Sequence, residues 1–259
     1  MKRSSGVRPC AAAVVGALSF ALVTGCSGGD SSGGDAKHSA TAAKALSATE
    51  LKKLIITEGE VPGFTVGAVP AARAKAITTD SAPCRPLVRV LSGLPPVEAP
   101  ARTDRLATEK QKKDPSAKPT SLDDLDEGKF EEAMHRSLDR DLTTVTLASY
   151  DGDGAEKALA SVSAAVKDCA SGFPAQQAGT KVRFTKVAEE RATGTGDGAV
   201  AFTATMDSDD GDAAPVHAEV LRLGNNLSVY FTSNLGAMMA KKAYAVSPAV
   251  VKAQQAKLK

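Results

Sequence analysis

The residues of this chain that could do chemistry are three histidines, four cysteines and a few acidic and glycine clusters. His38 lies in a Ser/Gly/Ala tract, His135 on a polar helical segment and His217 near the start of a strand. None has metal-ligand spacing to another His or Cys. Asp207-Ser208-Asp209-Asp210-Gly211-Asp212 has the acidic density of a calcium loop. An EF-hand loop beginning at Asp207 would need Asp or Asn, Gly and Glu at its fifth, sixth and twelfth positions, where the chain has Gly211, Asp212 and Ala218. Asp151-Gly152-Asp153-Gly154 fails the same test, with Val162 in the twelfth place. Both read as solvated turns. Gly194 to Gly198 is G-x-G-x-G between two strands, a turn expected to use positive φ. G-x-S-x-G occurs only in the Ser/Gly tract, at Gly25–Gly29 and Gly29–Gly33, without the preceding strand that a nucleophile elbow needs, and no S-x-x-K occurs. His135 with Glu131, Glu132 and Asp139 is the one acid–base cluster, and its pattern is that of a solvated helix face. No catalytic residue, metal or cofactor is expected, so the chain reads as a non-enzyme.

The cysteines say more. Cys10 falls inside an uncharged, mostly apolar run of 14 residues, Cys10 to Val23, preceded by Lys2, Arg3 and Arg8. A membrane-spanning helix needs about 20 residues, so this run reads as the core of an export signal. Val23-Thr24-Gly25-Cys26 resembles the bacterial lipobox. The resemblance implies a diacylglyceryl group on the Cys26 thiol and cleavage just before it, making residues 1–25 a lipoprotein signal peptide. Lys2, Arg3 and Arg8 leave with it, which takes the formal charge from +2 to −1. The expected location is the extracytoplasmic face of the cell membrane, with the membrane as partner through the N-terminal lipid. Two acyl chains hold a protein stably where one holds it marginally. Residues 26–46 then form the lipidated Cys26 and a Ser/Gly/Ala/Asp-rich tether with a root-mean-square span of about 25 Å. Its glycines have neither a preceding strand nor the spacing of a phosphate loop.

Cys84 and Cys169 remain, an even pair in an oxidising compartment. Cys84, Leu87, Val88 and Leu91 fall at i, i+3, i+4, i+7. Leu159, Val162, Val166 and Cys169 fall at i, i+3, i+7, i+10. Each Cys therefore belongs to the apolar stripe of a helix. A disulfide between them would staple the two helices, closing a loop of about 85 residues and stabilising the fold by roughly 4–5 kcal/mol at most.

The elements that position these residues are legible from caps, turns and periodicity. Ser47-Ala48-Thr49-Glu50 is a capping box that starts a short helix. Phe64 to Val69 reads as a strand. The Cys84 helix starts near Pro83 and stops at Gly93. Residues 97–128 are polar, with mixed charge and several prolines, and read as a solvent-exposed excursion. A helical segment through Phe130, Met134 and Leu138 follows. Thr143 to Tyr150, Val182 to Val187 and Ala199 to Met206 read as strands. Val216 to Leu223 and Leu227 to Thr232 flank Gly224-Asn225-Asn226, a hairpin pattern. Ser247-Pro248 opens a last helix. Helices come early and tightly connected strands late. The expected fold class is therefore α+β, a mostly antiparallel sheet with helices packed on it, in a single extracytoplasmic domain over 47–259.

Hydrophobic residues are 42% of the chain, charged residues 24% and aromatic residues 4%, with no Trp. That composition builds a core. It supplies neither the rings of a stacking platform nor the basic face that nucleic acid needs. Tyr150-Asp151, Ala158-Leu159, Asp168-Cys169-Ala170 and Gly172-Phe173 together resemble one element of the PknH-like extracellular sensor domain family. Gly196-Asp197-Gly198-Ala199-Val200-Ala201-Phe202 and Leu221-Arg222-Leu223-Gly224-Asn225 resemble others. The family comprises outer domains of mycobacterial receptor kinases and many actinobacterial lipoproteins, and the resemblance spans roughly residues 46–258. It implies helices held on a central sheet by disulfides and a cleft for an envelope ligand. One disulfide is possible here where the kinase domain has two, and neither a kinase nor a transmembrane segment is present, so a signal would have to pass to another envelope protein. The expected function is a lipid-anchored, non-catalytic ligand-binding or sensor module with an unidentified envelope ligand. The alternatives are a lipid or glycolipid carrier with an apolar cavity and an envelope hydrolase.

Overall fold

The computed structural model describes residues 43–71, 73, 76–111, 134–135, 137–207 and 213–259. The signal peptide, Cys26, His38, Phe130, Glu131, Glu132 and residues 208–212 lie outside the described residues. Helix α1 (Ala48–Leu54) begins at the expected capping box: the Ser47 hydroxyl accepts from the Glu50 amide, and the Glu50 carboxylate accepts from the Ser47 amide. Strands β1 (Phe64–Gly67) and β2 (Ile77–Thr78) follow, then a 3-10 turn (Ala82–Cys84) that runs into α2 (Arg85–Leu91). β3 (Ala101–Glu109), β4 (Leu142–Ser149), α3 (Gly154–Asp168), β5 (Phe173–Gln177) and β6 (Thr180–Glu190) come next. β7 (Gly198–Asp207), β8 (Ala213–Leu223), β9 (Asn226–Ser233), α4 (Leu235–Met239) and α5 (Pro248–Ala256) complete the described order.

Among the described residues the strands form one nine-stranded sheet in the order β1-β3-β4-β9-β8-β7-β6-β5-β2. Every pairing is antiparallel. Side chains alternate between the two faces, and both faces are covered. Val216, Ala218 and Val220 of β8 and Leu227 and Val229 of β9 point into a core closed by α2 and α3. Leu221 and Tyr230 point the other way, into a core closed by α1 and α5. The amide of Gln254, fully buried, joins the two helices of that second layer. Its oxygen accepts from the Ile56 amide at 3.0 Å, and its nitrogen donates to the Leu54 carbonyl at 2.9 Å.

β3 corrects the reading of residues 97–128 as an exposed excursion. It is an interior strand, paired along its length with β4 and over its second half with β1. Its buried positions, Thr103 and Ala107, are small. Charged residues stand between them, so the period of two exists without the large β-branched or aromatic side chains that make a strand conspicuous. β5 is hidden in the sequence by Pro174, which resembles a stop after α3. Proline is tolerated near a strand's start, and Pro174 sits at the second residue of β5, opposite Arg183.

The Gly194–Gly198 turn forms, but for a different reason than expected. The positive-φ glycines do not include Gly194, Gly196 or Gly198. What these positions require is space: a Cβ on Gly196 would lie 2.3 Å from the Arg222 carbonyl oxygen, and one on Gly194 2.4 Å from the Leu221 side chain. Gly172 needs both freedoms. Its φ is +85°, and a Cβ there would lie 2.1 Å from the Phe184 carbonyl oxygen.

The disulfide is formed between Cys84 and Cys169, with 6.0 Å between their Cα atoms. Cys84 ends the 3-10 turn before α2, and Cys169 is the residue just after α3. The bridge thus ties two helix termini, and both cysteines are buried.

Candidate ligand-binding cleft

The residues singled out in the sequence do not converge. Asp151 Oδ1 accepts from the Ala45 amide at 2.8 Å, and Asp153 precedes α3 and pairs with Lys157 at 2.9 Å. This acidic turn holds the chain at its entry to the domain. Asp139 Oδ1 accepts from Asn234 Nδ2 at 3.1 Å, and Asp141 Oδ1 accepts from the same nitrogen at 3.0 Å. Asn234 caps α4 with its own side-chain oxygen. Burial, reinforced by Glu109 and Asp139, holds the Asp141 carboxyl above its ordinary value, and the Asn234 bond opposes the shift. His135 lies in a helical stretch whose neighbours Glu131 and Glu132 are outside the described residues.

His217 is buried on β8, and its Nδ1 lies 3.0 Å from Glu190 Oε2 on β6. The Tyr244 ring stands edge-on to it at 4.6 Å and donates its hydroxyl to the Pro215 carbonyl. A histidine–carboxylate pair is the start of an acid–base relay. Here the imidazole is packed between the sheet and the 240–247 segment, which suits a strut that fixes that segment. Among the described residues no three His, Cys, Asp or Glu side chains gather as metal ligands.

Glu219 is the most deeply placed carboxylate, with no exposed surface. It accepts from the Thr193 amide at 2.9 Å, the Thr193 hydroxyl at 2.7 Å and the Gly194 amide at 2.8 Å. Three donors satisfy the buried charge. Glu219 therefore pins the turn between β6 and β7 under α5, a structural task.

An apolar site with room for a ligand lies elsewhere, on the sheet face under α2. It lies at the end where β4 and β8 begin and β7 and β9 finish. There a cleft of about 280 Å³ opens between the sheet and the ends of α2 and α4. Phe184, Met206, Val216 and Phe231 supply its apolar floor, and Ile77, Leu91 and Met238 its apolar sides. Phe184 is fully buried and stacks on Phe173 with 4.9 Å between ring centroids, backing that floor. Ser92 is fixed: its hydroxyl donates to the Val88 carbonyl at 2.6 Å and accepts from the Ile77 amide at 2.8 Å. Thr144, Gln177 and Ser233 complete the uncharged polar lining, and Arg73 is the one charged residue of the lining. Its Nη2 donates to Ser233 Oγ at 2.9 Å. Burial lowers the guanidinium from its ordinary value, yet an arginine keeps its charge in a protein. A few polar groups over a mostly apolar concavity is the make-up of a small-molecule site.

No motif in the sequence points to Arg73. It stands among alanines in a stretch without period, and the other lining residues come from β2, α2, β4, β5, β6, β7, β8, β9 and α4. No spacing rule gathers residues from that many elements. The one available hint is a lone arginine between Pro70 and Lys75 in an otherwise small-residue segment.

No family model matches the chain, and no curated protein matches it. Among solved structures it is similar to the extracellular domain of PknH from Mycobacterium tuberculosis. The identity is 10% and the TM-score 0.42, over 83% of this chain and 98% of that one. At that identity and TM-score the likeness assigns neither a family nor an activity to this chain.

Proposed function

We propose that this chain is an extracytoplasmic lipoprotein, anchored through Cys26, whose folded domain binds a small ligand in the cleft beside Arg73 and performs no catalytic step. The observation that carries the binding role is the cleft itself: a mostly apolar concavity with a half-buried cation in its lining. The export reading is supported by the basic and apolar segments of residues 1–25, by the V-T-G-C run and by the buried disulfide, a bond of oxidising compartments. The cleft's volume favours a small ligand over the carrier alternative. At about 30 Å³ per water-sized group it has room for roughly nine such groups, fewer than the carbons of one long acyl chain. Among the described residues the hydrolase alternative gains no support: of its cluster His135, Glu131, Glu132 and Asp139, Asp139 is engaged by Asn234.

Native mass spectrometry of the protein purified from the membranes of its own cells tests both halves at once. The expected spectrum carries a covalent diacylglyceryl mass that survives denaturation and a small non-covalent mass that does not. A chain lacking the first is not lipid-anchored, and a chain lacking the second under gentle conditions does not hold a ligand in the cleft.

A further inference from the structure

Arg73 carries five N–H donors, of which one reaches Ser233 Oγ. Among the described residues it makes no ion pair, although its burial removes part of its hydration. Partly burying a charge is unfavourable unless an opposite charge or hydrogen bonds replace the lost water. Among the described residues nothing else in the lining supplies charge of either sign: the rest, Ile77, Leu91 and Ser92 among them, are apolar or uncharged. Among the described residues the cleft thus holds a single positive charge with a planar, forked donor set beside apolar side chains. Carboxylates match that fork with two parallel hydrogen bonds. A cationic ligand would be repelled, a neutral one would leave the guanidinium unmatched, and a dianion would bring a charge that no second cation balances.

We infer that the cleft takes a monoanionic amphipath of about nine non-hydrogen atoms in all, its carboxylate held by the Arg73 guanidinium and its apolar body lying on Met206, Phe231 and Met238. The size follows from the cleft's volume at about 30 Å³ per group. The inference rests on the ligand-binding role proposed above and specifies its ligand class. Ser233 fits this arrangement as a positioning residue: its oxygen accepts from Nη2, which orients the fork and leaves the hydroxyl hydrogen available to the carboxylate.

The test is calorimetric titration of the full chain carrying Cys26→Ala, in detergent-free buffer, with octanoate, 3-phenylpropionate and octan-1-ol. At least one acid binds tenfold or more tightly than octan-1-ol, and Arg73→Gln removes that preference while leaving the urea midpoint in place. The tighter of the two acids tells whether a linear acyl chain or a compact aromatic acid is the natural shape. Equal affinity for octanoate and octan-1-ol, or an acid preference that survives Arg73→Gln, overturns the anionic class and leaves the cleft as a binding site for neutral molecules. Binding of none of the three probes also overturns it. A small non-covalent mass on the native protein would then still show that the cleft holds a ligand, of another class, and its absence would remove the binding role as well.

Discussion

Cys84→Ser lowers the unfolding free energy by about 4 kcal/mol. The two cysteines are 85 residues apart in sequence, so the bridge removes a large loop from the freedom of the unfolded chain. All of β3, β4 and α3 lie inside that loop. The effect is large against the roughly 5–15 kcal/mol that separates a typical domain from its unfolded state. It exceeds the loop term if the new hydroxyl finds no hydrogen-bond partner in a core position that is 4% exposed. Urea unfolding followed by far-ultraviolet circular dichroism is the suitable measurement, because the chain has no Trp to report by fluorescence. The variant's midpoint should fall well below that of the native chain. Reductant should bring the native chain down to the same midpoint and leave the variant unmoved. Equal midpoints without reductant would show that the bridge contributes nothing.

On the proposed anchoring, a chain cleaved from its export signal and carrying Cys26→Ala should be released from the membrane without a change in stability. The proposed diacylglyceryl group would bring two acyl chains at about 0.8 kcal/mol per buried CH₂, enough for stable attachment. Among the described residues no helix is long and apolar enough to cross a membrane. A chain cleaved before Cys26 has a formal charge of −1, so it gains little from anionic headgroups. Cys26 precedes the first described residue, Ala43, and the Cys84–Cys169 bridge does not involve it. Fractionation of cells expressing the variant behind an export signal that is cleaved without lipidation should find the folded chain outside the membrane pellet, with the urea midpoint of the native protein. A variant that still sediments with membranes would remove the anchor from the account.

Legibility of the fold in the sequence follows the strength of local chemistry. The α1 capping box and the Gly224-Asn225 hairpin can each be read because a few neighbouring residues fix them, and the pairing of Cys84 with Cys169 because they are the two cysteines left once Cys10 and Cys26 are read as part of the export signal and lipobox. α5 starts at Ser247-Pro248 as expected, although the Ser247 side chain makes no capping bond and Pro248 alone sets the start. β3 escapes because Thr103 and Ala107 are too small to advertise a buried face. The turn at Gly194 is legible in its place and not in its cause, since only the packed structure shows Leu221 and Arg222 pressing against it. Glu219 is visible as a charge in the middle of an apolar strand; its partners, Thr193 and Gly194, are 25 residues or more away. The cleft is the least legible feature. Its residues are gathered by the sheet order, in which β2, near the start of the chain, reaches the far edge beside β5.

The cleft's role is tested most directly by methyl-carbon NMR of the chain labelled at methionine, titrated with octanoate. Met206 and Met238 line the cleft, whereas Met134 is exposed and belongs to none of its walls. The methyl signals of Met206 and Met238 should shift in a saturable way, and Arg73→Gln should abolish the shift at the same octanoate concentration. Signals of Met206 and Met238 that stay fixed while other methyls move would place binding elsewhere and contradict the account.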